Sequence, residues 1–557
     1  MRNAGRLLLP IGTTNYKKIC DNYYYVDKTL MIKDILDEGT EISLFTRPRR
    51  FGKTLNMDML RTFFEKQEED TSRYFTDKKI WQQGEAYTKH QGKYPVIYLS
   101  LKDANKFTWP DLYARLIETI RDEFFRHSEL NDSPKISNPE FYKKIIAGQA
   151  TEAEYSISIL RLSRMLREHY GQSVILMIDE YDTPIQAGYI NGFYNEAIQF
   201  IRDLFSSALK DNDNLAFGFL TGILRVAKES IFSGLNNIYV YSVLDDKFSD
   251  YFGFTDMEVK QLVHYYALDD KLAEIKEWYD GYRFGEVEIY NPWSVLSYLK
   301  NGCRAIPYWV QTSSNSTINT ILRNLDGETY QKLKDIINGT AISSIVSTNV
   351  IYPELKDKSA NIFGFLLMTG YLKSSRTNFT MRGNILCDLC IPNKEIENVY
   401  YNEILSQLAD GVSINTTNVL SEALLHKDDV LLKQSLNKFL LETISFYDTL
   451  NENYYHGLLL GMTAIFAHDY YIYSNRESGL GRYDIMLVPK QAGLPGIVIE
   501  VKSTDKSSSA SLKALASRAL AQINTNKYDA ELVKQGVKLI YKYGIAFSGK
   551  QAEIMTN

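Results

Sequence analysis

The stretch Ile42-Ser43-Leu44-Phe45-Thr46 followed by Arg47-Pro48-Arg49-Arg50-Phe51-Gly52-Lys53-Thr54, ISLFTRPRRFGKT over residues 42–54, decides how the first half of the chain is read. A short apolar run of this kind fits a buried strand, and Gly-Lys-Thr sits where that strand turns into a helix. Backbone N–H groups at a helix start, a lysine and then a hydroxyl suit a phosphate chain and its Mg²⁺. Gly52, Lys53 and Thr54 are therefore candidate nucleotide ligands, with Thr54 on the metal. Arg47 replaces the first glycine of the GxxxxGK[ST] loop, and Arg47, Arg49, Arg50 and Phe51 join the candidates, the arginines charging the loop. The competing reading is a basic turn ahead of an ordinary helix.

Outward from this loop, VIYLSL (96–101), VILMI (174–178) and LAFGFLTG (215–222) alternate with helical patterns. Strands separated by long helices need crossover connections, which implies a largely parallel, doubly covered sheet binding ligands at its strands' carboxyl ends. VILMI runs into Asp179-Glu180, an acidic pair that is costly after a buried strand unless a cation meets it. Asp179 is expected near Mg²⁺ and Glu180 on the attacking water. Thr221 ends a later strand as a candidate phosphate sensor, with Arg225 behind it as a charge stabiliser. Read together, these features predict an ATP-hydrolysing P-loop domain over residues 1–254.

The chain has 557 residues, which at roughly 150 per domain implies several units. Hydrophobic residues make up 45% and charged ones 24%, ordinary globular usage that excludes broad disorder. The 40 tyrosines suit either base stacking or half-buried packing. No secretory signal is read at the start, and the apolar segment Gly457 to Ala467 is shorter than the roughly twenty residues of a membrane span. Four cysteines are too few for a disulfide scaffold, so a cytoplasmic, non-membrane protein is expected. Cys387 and Cys390 form a CxxC that lacks further zinc ligands nearby. The histidines are scattered without a nucleophilic partner, which leaves protease or esterase chemistry unsupported. Residues 255–440 read as a mainly helical middle region without a convincing repeat.

A final unit over 441–557 reads as helix, hairpin, helix. Asp484 lies in YDIMLV, and the strand GIVIEVK presents Glu500 and Lys502 on one side, because strand side chains alternate. Two carboxylates suit Mg²⁺ or Mn²⁺, which acidifies water beside a scissile phosphate, and a lysine stabilises the developing anion. The alternative is a salt-bridged strand surface. From Lys490 onward ten Lys/Arg stand against five Asp/Glu, a local +5 in a chain of net charge −5. That tail fits a phosphate backbone or a solvated basic face. The Ser-rich 503–511 reads as a loop and helix cap, and His456 as a core or boundary residue.

RPRRFGKT, VILMIDEYDTPI, TGILRVAKESIFSGLNN, YFGF and WYDGYRFG resemble the bacterial AAA-ATPase-like family that often carries a C-terminal nuclease-like domain. That family's loop is itself of the RPRRFGK type, so Arg47 departs only from the general P-loop. YYYVDKT, Tyr23 to Thr29, shares the resemblance and is expected near the nucleotide. The D…ExK hairpin and the helix after it resemble the PD-(D/E)XK nuclease superfamily. This second resemblance implies Glu452 as a further metal ligand and Gln522 as a phosphate or water contact.

The expectation is an ATPase coupled to a metal-dependent nuclease, with ATP and Mg²⁺ (or Mn²⁺ at the C-terminal site) as cofactors. Nucleic acid, DNA in the first instance, is the expected partner, and the resemblance leaves room for a homo-oligomer. The alternative is an ATP-dependent switch or partner-binding protein whose nuclease-like domain binds without cleaving.

Overall fold

ISLFT, VIYLS, VILMID and LAFGFLTG do form strands, because each is an apolar run whose burial stabilises it on both faces. In a computed structural model these are β1 (Ile42–Thr46), β2 (Val96–Ser100), β3 (Val174–Asp179) and β4 (Leu215–Gly222), with β5 (Ile238–Tyr241) as the fifth. The structure describes residues 6–226, 237–309, 327–337, 339–350, 352–354, 359–400, 414–443, 452–463, 466, 469–474, 477–504 and 509–557. The five strands lie in the order β2-β3-β4-β1-β5, all parallel. Val174 to Ile178 are fully buried, each such side chain contributing about 1.5–3 kcal/mol. The register sets Ser100 beside Asp179 and Thr46 beside Gly222, so the polar strand ends share one edge of the sheet.

Two compact units divide the chain. The first comprises residues 1–317 with 339–396, and the second 318–338 with 397–557. Past the parallel sheet, the first unit packs helices Asp256–Tyr266, Leu272–Tyr279 and α2 (Pro292–Lys300) around Val259, Leu262, Ile275, Tyr290 and Val295; α1 is Lys53–Phe64. It also builds an antiparallel sheet from β6 (Ile342–Val346), β7 (Lys373–Phe379) and β8 (Ile385–Cys390), which the helical reading of the middle region did not include. Cys387 and Cys390 lie three apart on β8 and so point to opposite faces.

In the second unit, α3 (Glu452–Thr463) precedes β9 (Tyr470–Ser474), β10 (Ile485–Pro489) and β11 (Gly496–Ser503). α4 (Ser509–Thr525) then crosses to β12 (Ile540–Ser548), followed by β13 (Gln551–Thr556). The sheet order is β9-β10-β11-β12-β13, with β11 and β12 parallel and the other pairs antiparallel. β9 was not anticipated, and Asp484 stands one residue ahead of its strand. α4 lies so close to β12 that a Cβ on Gly544 would come 2.3 Å from the Ala516 carbonyl oxygen. Ile497, Ile499 and Val501 face one core, and Val498 faces another with Met486 and Val488. Residues 505–508 of the Ser-rich stretch and 227–236 of TGILRVAKESIFSGLNN lie outside the described residues. Among the described residues no helix is long and apolar enough to cross a membrane.

Candidate functional site

Gly52 takes a left-handed φ of 84°, which turns the loop after β1 into α1 and aims the helix start at the sheet edge. Lys53, the first residue of α1, donates from Nζ to the carbonyls of Arg47 and Pro48, both at 2.9 Å. Its burial pushes the ammonium pKa down, while the carboxylates of Glu180, Asp182 and Asp179 pull it up. Thr54 Oγ1 donates to Asp179 Oδ2 at 2.8 Å, and Thr221 Oγ1 donates to Asp179 Oδ1. Asp179 is fully buried, so these two hydroxyls offset part of the cost of its charge.

Glu180 follows at a positive φ of 56°, its N–H donating to Thr221 Oγ1 at 3.3 Å. Burial pushes its carboxyl upward, opposed by Lys53. A positive φ at a non-glycine residue beside a polar cluster is a mark of functional constraint. Gly52, Lys53, Thr54 and Glu180 line a cavity of about 650 Å³, together with Arg49 and Arg50. Tyr24, Tyr25 and Lys28 of the YYYVDKT stretch form part of its wall, and Lys28 pairs with Glu258 at 2.7 Å.

Three expectations are refined, two of them in the loop. Arg47 is fully buried, and its guanidinium donates to the carbonyls of Thr46 (2.9 Å), Tyr241 (2.7 Å) and Phe248 (3.3 Å). It also lies over the Phe252 and Phe284 rings, and burial drives its pKa down to about 9. As a correction, Arg47 braces the loop from behind and does not line the cavity. Phe51 is buried against Tyr282 and Phe284, so its side chain anchors the loop although it reaches the cavity wall. Arg225 also stands outside the cavity lining, on a two-residue strand paired with Asn349. Arg49 remains at the cavity, bonded to Gln186, and Arg50 sits 4.3 Å over the Trp293 ring.

Asp182 is the residue that sequence reasoning passed over. It lines the cavity, is nearly fully buried and accepts from the N–H groups of Ile223 (2.9 Å) and Leu224 (3.0 Å). A Cβ on Gly222 would fall 2.6 Å from the Tyr181 ring and 2.8 Å from Asp182 Oδ1, so a larger residue after Thr221 would have to displace these side chains. The signal was its place three residues past Asp179 in DEYD.

In the second unit the three expected residues come together. Asp484 Oδ2 accepts from the Val501 N–H at 2.7 Å, and Lys502 Nζ lies 3.0 Å from Glu500 Oε1. Glu500 is buried, and its Oε2 has no hydrogen-bond partner among the described residues. Burial first, and then Asp484, push its carboxyl up to about 7. A buried carboxylate oxygen without a donor, beside a second carboxylate, fits a hard divalent cation. His456 Nε2 stands 3.1 Å from the Asp484 carbonyl oxygen and 3.0 Å from Ser474 Oγ, at the boundary of the site. Gln522 donates to the Tyr528 hydroxyl at 3.1 Å. The Glu452 side chain lies outside the described residues. Among the described residues no group of three or more His, Cys, Asp or Glu side chains is arranged around a metal position.

Residues 10–232 match the family described as predicted AAA-ATPase, and residues 450–557 match the PD-(D/E)XK nuclease superfamily. A protein described as "Uncharacterized protein in vnfD 5'region", from Azotobacter chroococcum mcd 1, is 26% identical over 489 residues. That similarity covers 86% of this chain and 81% of the relative.

Proposed function

We propose that this chain, which joins an AAA-ATPase-like domain to a PD-(D/E)XK nuclease-superfamily domain, hydrolyses ATP in the first and cleaves nucleic-acid phosphodiester bonds in the second. The observation that carries the first half is the meeting of Lys53, Thr54, Asp179 and Thr221 at the carboxyl edge of a parallel sheet, beside a cavity. Lys53 exchanges its two loop carbonyls for phosphate oxygens, and Arg49 adds charge from the cavity wall. Glu180, its proton affinity raised by burial, accepts the proton of the attacking water. Mg²⁺ held by Thr54 and Asp179 supplies charge neutralisation of the phosphates.

The second half rests on Glu500 Oε2, a buried oxygen beside Asp484 without a donor. Asp484 and Glu500 would hold Mg²⁺ or Mn²⁺, which supplies an activated water and polarises the scissile phosphate. Lys502 stabilises the anion that develops there. The basic balance after Lys490 supports a phosphate-backbone partner, with DNA as the first choice and the cytoplasm as the place of action.

The test incubates wild type, Lys53→Ala and Asp484→Ala with linear and circular DNA and with RNA, in Mg²⁺ or Mn²⁺, with and without ATP. Cleavage lost in Asp484→Ala and altered in Lys53→Ala supports the coupled enzyme. ATP hydrolysis without cleavage under any of these conditions overturns the nuclease half and leaves an ATP-dependent switch.

A further inference from the structure

β9 is the outermost strand of the C-terminal sheet, and alternation divides its side chains between two faces. Tyr470 and Ile472 are buried in one core. Tyr471 and Tyr473 point the other way. Tyr473 pairs with Met486 and Tyr471 with Val488, both of which face the same side of the sheet as Val498. Met486 pairs with Val498, and two residues along each strand from that pair stand Asp484 and Glu500. Parity therefore puts Tyr471, Tyr473, Asp484, Glu500 and Lys502 on one face.

The two tyrosine rings are stacked side by side, their centroids 6.4 Å apart and planes 18° from parallel. Tyr471 is 53% exposed, so its ring is accessible from solvent. Lys490 Nζ stands 5.0 Å from the Tyr471 ring centroid, at the end of the strip remote from the carboxylates. Two strand residues span roughly 7 Å, so the strip begins within about one nucleotide's reach of Asp484.

We propose that this strip is a stacking track for single-stranded nucleic acid, leading an unpaired strand to the carboxylate pair. The inference rests on the nuclease reading of that pair. The exposed Tyr471 ring offers π-surface to bases, which a duplex keeps stacked on one another, the half-buried Tyr473 packs beside it, and Lys490 offers charge to the backbone. The choice of occupant follows from this pairing of ring surface with positive charge and from the strip's continuity with the candidate metal site.

The test measures binding of the full chain to a short fluorescein-labelled oligothymidylate by anisotropy, in EDTA so that no cleavage intervenes, with a blunt duplex of equal length as comparison. Wild type is expected to bind the single strand more tightly than the duplex. Tyr471→Ala should weaken single-strand binding by roughly tenfold or more while leaving duplex binding unchanged, and Tyr471→Phe should retain it. Lys490→Gln should lower the salt dependence of binding. Circular dichroism confirms that each variant is folded, and Tyr471→Trp supplies a second stacking-competent variant. Equal binding by wild type and Tyr471→Ala, no single-strand binding at all, or equal loss on duplex overturns the track. Tyr471-dependent binding by a protein that never cleaves in Mg²⁺ or Mn²⁺ retains the track and removes the nuclease reading.

Discussion

Thr54 Oγ1 reaches Asp179 Oδ2 over 2.8 Å although the two residues are 125 positions apart. Thr221 holds the other oxygen of the same carboxylate, so Asp179 is oriented from both sides. Partners of this kind around a metal-binding carboxylate are worth roughly 10- to 100-fold in metal affinity. Thr221→Val should therefore raise the Mg²⁺ concentration for half-maximal ATP hydrolysis by about that factor, as a metal titration of turnover will read. An unchanged titration would remove Asp179 from the metal's surroundings.

Arg47 and Arg49 sit two residues apart in one loop and should behave in opposite ways. Arg47→Met removes the guanidinium bonds to the buried carbonyls of Tyr241 and Phe248, at a cost of about 1–3 kcal/mol. Its thermal midpoint should fall clearly. Arg49→Ala should leave the midpoint unchanged and weaken ATP binding, measured by titration with a fluorescent ATP analogue.

Glu500→Gln removes a buried carboxyl and, on the proposed reading, a metal ligand together. The metal-free variant should be at least as heat-stable as wild type, since burial already disfavours the ionised form. Millimolar Mn²⁺ should raise the wild-type midpoint and leave the variant's in place, because only a ligand that binds the folded form shifts the transition. An equal shift in both proteins would put the metal elsewhere.

Glu395 gives a pH signature from outside the cavity lining. It is fully buried in the first unit, accepting from Ser294 Oγ at 2.8 Å and from the Trp309 N–H at 2.8 Å. Burial raises its pKa from 4.5 to about 7. The folded state thus binds more protons than the unfolded chain between those values, and stability falls as pH rises through the window. The loss is roughly 3 kcal/mol and complete above pH 7. Gln imitates the protonated group, with its oxygen toward Trp309 and its amide toward Ser294. Glu395→Gln should gain stability over wild type at pH 8 and match it near pH 4, by thermal melts at both.

The parallel sheet was legible because its strands are apolar runs ended by polar residues, a pattern that burial itself imposes. The hairpin carrying Asp484, Glu500 and Lys502 was legible for a related reason, since ExK on a strand puts two side chains on one face. The direction taken by Arg47 was not: a guanidinium in a loop meets phosphate or carbonyl equally well, and only the fold of Tyr241 and Phe248 around it decides. Residues 339–396 pack with the first unit through contacts remote in sequence, which no local period announces. β9 could have been read from the alternation in YYIYS, but five residues crowded with tyrosine carry little contrast between faces.

The place of β1 inside its sheet bears on how a ribosome can make this protein. β1 is flanked by β4 and β5, and Arg47 is held by the carbonyl of Tyr241, 194 residues later. At 5–20 residues per second, roughly 10–40 s separate the emergence of the loop from that of Tyr241. Until β4 emerges ISLFT has two unpaired strand edges, and until β5 emerges it still has one, which makes the nascent chain a client for chaperones and truncations before residue 241 prone to aggregate.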